Sequence, residues 1–149
     1  MSTFSKKISR LSLLSLLSLM SLLSLLSLIT HGCSGSYPID EDGLLVTDRA
    51  ECYVSNFELL GTDHLTVRVE GELPAIDTAA GTISIKAKFG TDLKHLYPQF
   101  SLVTDAKLEP KITGLTDFSD LERPRQYTVI SGNRKVRKTY TIYVEVEHL

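Results

Sequence analysis

From Thr82 to Phe89 apolar and polar residues alternate without a break. Ile83, Ile85, Ala87 and Phe89 point one way and Thr82, Ser84, Lys86 and Lys88 the other, the period of two that marks a half-buried strand. The chain repeats the pattern near its end, with Tyr140, Ile142, Val144 and Val146 against Thr139, Thr141, Tyr143, Glu145 and Glu147. Leu65, Val67 and Val69 make a third run, and 52–60, 99–103 and 127–131 are further strand candidates. Turn formers separate the runs: Gly61-Thr62-Asp63, Gly71, Gly81, Gly90-Thr91-Asp92, Pro98, Pro110, Gly114, Pro124 and Gly132-Asn133. No run sustains a 3.6-residue period. Only 92–97 suits a helical turn, with Asp92 as its cap and Leu93 and Leu96 facing inward. About seven short strands in about 100 residues predict an all-β fold, an antiparallel β-sandwich of immunoglobulin-like size.

Ahead of this region the pattern is of another kind. Lys6, Lys7 and Arg10 precede residues 11–29, which carry no charge, and Thr30-His31-Gly32-Cys33 follows. A basic start, an apolar middle and a small residue before a cut are the parts of a signal peptide. Serines at 12, 15, 18, 21, 24 and 27 step round a helix by about −60° each, so no single apolar face survives for a surface helix or a coiled-coil seam. A permanent membrane span is the rival, as the segment approaches the ~20 residues a crossing needs, but no basic stop-transfer cluster follows it. Gly32 directly before Cys33 resembles the lipobox of bacterial lipoproteins, in which the cysteine becomes the first residue of the mature chain and carries acyl chains; Thr30 stands where that pattern usually has Leu. The predicted organisation is therefore 1–32 signal peptide, 33–50 lipidated Cys33 with a flexible acidic tether, and 51–149 β-sandwich.

Composition narrows the function classes. The whole chain has 16 bases and 18 acids; without Lys6, Lys7 and Arg10 the mature part carries a net charge of −5, which argues against nucleic acid as a partner. With Cys33 acylated, Cys52 is left without an internal disulfide partner and reads as a small apolar strand residue whose neighbour Glu51 raises its pKa; an unlipidated Cys33 would make a Cys33–Cys52 bridge the alternative. His64, His95 and His148 are scattered, so no metal site is predicted, and no nucleotide-binding or hydrolase motif is present. Thr-Asp pairs at Asp48, Asp63, Asp92, Asp105 and Asp117 offer hard ligands for calcium, but no stretch resembles a calcium loop. No enzyme activity and no cofactor are expected.

Two sets of residues are candidates for ligand contact. Arg134, Lys135, Arg137 and Lys138 fall together in the connection of a predicted C-terminal β-hairpin, as a solvated tip or as an anion contact. Tyr143, placed by alternation on the polar face of its strand, and Tyr97, beside Pro98, are candidate stacking platforms for sugars.

One stretch of residues has a wider likeness. Ile83-Ser-Ile-Lys, Gly90-Thr-Asp-Leu93, Leu96-Tyr-Pro98, Pro110, Asp117-Phe-Ser119, Pro124, Tyr127-Thr-Val129 and Tyr140-Thr-Ile-Tyr-Val144 resemble the shared pattern of immunoglobulin-like domains of unknown function in Bacteroidetes lipoproteins. Gly132-Asn133 and four bases stand where that family often has Asp-Gly. Asp40-Glu41-Asp42 is loosely similar to the acidic export signals of such lipoproteins. The resemblance implies a sandwich domain on the outer membrane, lipid-anchored and often surface-exposed, near systems for glycan capture. It implies no catalytic residue: in Asp117-Phe118-Ser119 the polar residues suit a turn and Phe118 a core. The function expected is a non-catalytic interaction or spacer module with envelope proteins as partners. The alternatives are a glycan-binding accessory of a polysaccharide uptake system and an adhesin or fimbria-like subunit.

Overall fold

The computed structural model describes residues 37–148; the expected signal peptide and Cys33 lie outside the described residues. Seven strands form two sheets: β1 Val54–Leu60, β2 Ala75–Asp77, β3 Thr82–Ala87, β4 Tyr97–Leu102, β5 Lys107–Glu109, β6 Arg125–Ile130 and β7 Arg137–Val146. β1 and β4 pair with each other, and the larger sheet has the order β2-β3-β7-β6-β5. No helix occurs among the described residues, so the all-β expectation holds.

Alternation decides which side of each strand faces the other sheet. Phe57 and Leu59 of β1, Ile83 and Ile85 of β3, Val129 of β6, and Tyr140 and Ile142 of β7 are all buried in one core with Leu96 and Phe118. Phe100 joins the two layers, its ring 4.8 Å from Phe57 in an edge contact and 4.9 Å from Tyr127. The hydroxyl of the buried Tyr140 accepts the Val54 N–H at 3.3 Å, so burying a phenol leaves it with a partner.

The structure departs from the sequence expectations in several places. β3 and β7 run parallel, with Ile83 opposite Ile142 and Ile85 opposite Val144, whereas every other strand pair is antiparallel. The run at Leu65, Val67 and Val69 is no full strand. It makes single bridges, Thr66 to Leu60 and Arg68 to Ala87, and so links β1 of one sheet to the end of β3 in the other, with Leu65 left exposed. Phe89 is exposed because β3 ends at Ala87. Residues 92–97 make a turn rather than a helix, yet Leu96 is buried and Asp92 Oδ1 accepts the Lys94 N–H as a cap does. The three-residue strands β2 and β5 are too short to leave an alternation signal.

The largest correction concerns the tether expected over 33–50. Within its described part, residues 37–50 lie against the domain: Asp40 pairs with Arg134, Thr47 N–H donates to the Gly132 carbonyl, and Asn133 N–H donates to the Arg49 carbonyl. Gly132 permits this. A Cβ there would lie 2.5 Å from Thr47 Oγ1 and 3.2 Å from Arg49 Cβ, so the segment closes over a backbone that carries no side chain.

Candidate functional site

The outward face of the five-stranded sheet is a polar surface with one aromatic ring on it. β7 presents Thr139, Thr141, Tyr143 and Glu145; in register beside them β3 places Thr82, Ser84 and Lys86, and β6 places Gln126 and Thr128. Neighbouring side chains are already joined: Thr128 and Thr139 hydroxyls lie 2.9 Å apart, and Gln126 Nε2 donates to Thr141 Oγ1 at 3.3 Å. Tyr143 is 47% exposed and stands between two depressions. One, of about 410 Å³, is lined by Leu73, Ser84, Lys86 and Glu145; the other, narrower, is bordered by Leu121, Pro124 and Arg125. Leu73 and Leu121 are both exposed. An exposed phenol ring with apolar neighbours on either side and hydroxyl, amide, ammonium and carboxylate groups around it can stack on the C–H face of a sugar ring while its rim bonds the sugar hydroxyls.

Tyr97, the second platform, lies on the outward face of the other sheet and cannot share a ligand with Tyr143. Its ring is stacked on His64 with centroids 4.8 Å apart, which covers one face. The basic residues of the hairpin connection also separate. Arg134 is largely buried and is held by Asp40 at 2.9 Å and by the carbonyls of Leu45, Asp105 and Ser131. Arg137 pairs with Glu109 on the outward side, Lys138 lies on the other side of the same strand near Cys52, and only Lys135 is freely exposed. The expected single cluster of four bases is therefore corrected: strand alternation splits Arg137 from Lys138, and a buried carboxylate takes Arg134.

In sequence that carboxylate is part of the acidic run Asp40-Glu41-Asp42, similar to an export signal; in the fold it is an ion-pair partner. Asp40 and Asp42 both face Lys107, at 3.1 and 2.6 Å, and Lys111 reaches Asp42 at 2.7 Å. Asp40 also accepts the N–H groups of Asp42 and Leu44. Its carboxyl is held well below the ordinary carboxylate range by the Leu44 N–H and by the Lys107 and Arg134 cations. Asp42 is lowered chiefly by Lys107, and Lys107 is raised chiefly by Asp42. Of the five acids weighed as calcium ligands, four have other work. Asp63, Asp92 and Asp117 accept backbone N–H groups two residues on, and Asp105 pairs with Arg49. Among the described residues no three His, Cys, Asp or Glu side chains are gathered for a metal. Cys52 is a free thiol whose pKa is raised, with burial as the cause rather than the adjacent Glu51.

With this geometry established, the chain can be set beside known proteins. A family model described as "SGBP, N-terminal" matches residues 64–144, more than half of the chain. No curated protein sequence matches it significantly. Among solved structures it is similar to a Bacteroides thetaiotaomicron protein provisionally described as a glycoside hydrolase, at 29% identity and a TM-score of 0.54 over 69% of this chain. The matched part is 27% of that protein's length. A DUF4623 family protein from Bacteroides eggerthii shares 20% identity over 66% of this chain and 22% of its own, with a TM-score of 0.49. A Bacteroides fragilis protein provisionally described as secreted shares 15% identity over 66% of this chain and 97% of its own, with a TM-score of 0.45.

Proposed function

The chain belongs to the SGBP, N-terminal family, and on that premise we propose that it is a non-catalytic, lipid-anchored envelope module that serves glycan capture at the outer membrane. The observation that supports this most is Tyr143, an exposed ring on a flat polar sheet face, flanked by two depressions. A carbohydrate would stack there, with Ser84, Lys86 and Glu145 as its polar contacts. The anchor is Cys33, whose Gly32-Cys33 junction follows an uncharged leader. Two measurements test the reading. Palmitate labels the wild-type chain and not Cys33→Ala. A glycan array identifies a ligand, for which Tyr143→Ala weakens binding about tenfold, the loss of roughly 1.4 kcal/mol that one stacked ring supplies. Equal binding by Tyr143→Ala and wild type would sink the proposed site.

A second reading, a spacer that positions other domains or partners, is favoured by the size relation: this chain matches only 27% of the longer protein that it resembles. A blank array beside intact palmitate labelling would select it. An assembly subunit that donates a strand is supported least, since residues 37–50 are folded back on their own domain.

A further inference from the structure

We propose that the turn formed by residues 37–45 is a membrane-docking face, whose side chains Tyr37, Ile39 and Leu45 seat in the headgroup layer of the bilayer that holds the Cys33 acyl chains. This inference rests on the Cys33 anchor proposed above.

The turn is a small antiparallel hairpin. Asp40 N–H donates to the Leu44 carbonyl and Val46 N–H to the Pro38 carbonyl, and Gly43 adopts the positive φ of 76° that the reversal needs. Ile39 and Leu45 face each other across it, so their side chains emerge on the same side, joined by Tyr37 two residues earlier. Asp40 points the other way, to Lys107 and Arg134. Exposure follows that division: Ile39 is 65% exposed, Leu45 53% and Tyr37 52%, while the Asp40 side chain is 10% exposed. Arg134 also donates to the Leu45 carbonyl at 2.9 Å, which keeps the turn from swinging and folding its apolar residues inward. Three large apolar side chains held outward on one face are a surface that something covers.

Chain length names the occupant. Three residues separate Cys33 from Tyr37, and four peptide units span at most about 14 Å. An acylated Cys33 sits at the headgroup level, so Tyr37 and the turn cannot stand clear of the interface, where aromatic and aliphatic side chains are favourably placed. The charges around the turn are mixed: Asp40, Asp42, Lys107, Lys111 and Arg134 are paired with one another, and Glu41 and Asp48 are acids outside those pairs. Docking is therefore apolar and does not require anionic lipid. The turn also lies outside the matched residues 64–144, so the device belongs to this chain's own leading segment.

The test uses the absence of tryptophan from the chain. Full-length Leu45→Trp, Ile39→Trp and Leu73→Trp are purified from membranes after palmitate labelling and reconstituted into phosphatidylcholine vesicles with or without brominated chains. Leu73 is 81% exposed and on the outward sheet face, so it serves as the control. In labelled protein, the emission of Leu45→Trp and of Ile39→Trp is expected to shift to the blue and to lose most of its intensity to bromine, while Leu73→Trp keeps a solvent-exposed spectrum. The two turn positions guard against one variant misfolding. Labelled protein whose turn tryptophans stay solvent-exposed overturns the docking face alone. A blue shift without bromine quenching gives the patch to a second copy and also overturns it. Protein without label overturns the anchor, and the docking face with it.

Discussion

Arg134 shows how one side chain can read as a ligand contact in sequence and as a fastener in the fold. It adopts a φ of 61°, in the left-handed region that disfavours Arg, and its guanidinium donates to Asp40 and to three backbone carbonyls. Arg134→Ala strands those carbonyls and is expected to cost about 2 kcal/mol, the scale of lost charge-assisted bonds. The check is a lowered denaturant midpoint together with faster amide exchange at Leu44 and Val46. Arg134→Lys recovers little of this, because an ammonium cannot fork to four acceptors. Cys52 gives the opposite case, a reactive residue type made inert. Its thiol contacts the Val129 carbonyl at 3.1 Å and is pushed up in pKa by burial. Alkylation at pH 8 should be slow for the folded protein and fast after urea; equal rates would show the thiol to be open.

Among the elements, the parallel β3–β7 contact depends on Gly81. Its φ is +68°, its carbonyl accepts the Thr141 N–H, and a Cβ there would lie 2.5 Å from the Thr139 carbonyl oxygen. Gly81→Ala therefore sets a side chain against backbone at the start of the ladder. A destabilisation of about 2–4 kcal/mol is expected, above the 1–2 kcal/mol of the left-handed conformation alone. Thermal denaturation of wild type and variant measures it. β3 and β7 were legible because each carries a long alternation whose inward set, Ile83 and Ile85 with Tyr140 and Ile142, is buried. Their parallel pairing was not, since alternation fixes a strand's faces and says nothing of its neighbour's direction. Tyr143 was legible for the same reason as its strand, while the depressions beside it come from Leu73 and Leu121 in irregular segments that no period predicts. Residues 37–50 misled because small, acidic and proline residues mark a linker by composition. What holds Asp40 is Arg134, far away in sequence, and only the fold brings the two together.

For the molecule as a whole these carboxylates set the acid limit of stability. Asp40, Asp42, Asp92 and Asp117 are all held below their ordinary 3.8 by N–H donors or cations. A carboxyl with a depressed folded pKa contributes stability that is complete above its unfolded value and is lost as pH falls toward the folded one. Lys107, raised above 10.5, contributes below that value and loses its share as pH rises through its folded pKa. The stability plateau should therefore run from about pH 5 to about pH 8, with the melting temperature falling on both sides, because the Cys52 thiol, raised from 9.0 by burial, ionises first in the unfolded chain. The acid limb has an order to it. Asp40 and Asp42 share Lys107, so protonating them releases the 37–45 turn from β5 and from the β6–β7 connection while the apolar core between the sheets is untouched. Amide protection in the turn is expected to fall before that of Ile83 or Ile142 as pH drops from 5 to 3. Asp40→Asn should reproduce the loose turn at neutral pH and flatten the acid limb. Because the Asp40 and Arg134 side chains are only 10% and 16% exposed, added salt should change this little. If turn and core instead lose protection together, the turn is an integral part of the sandwich rather than a separately fastened segment.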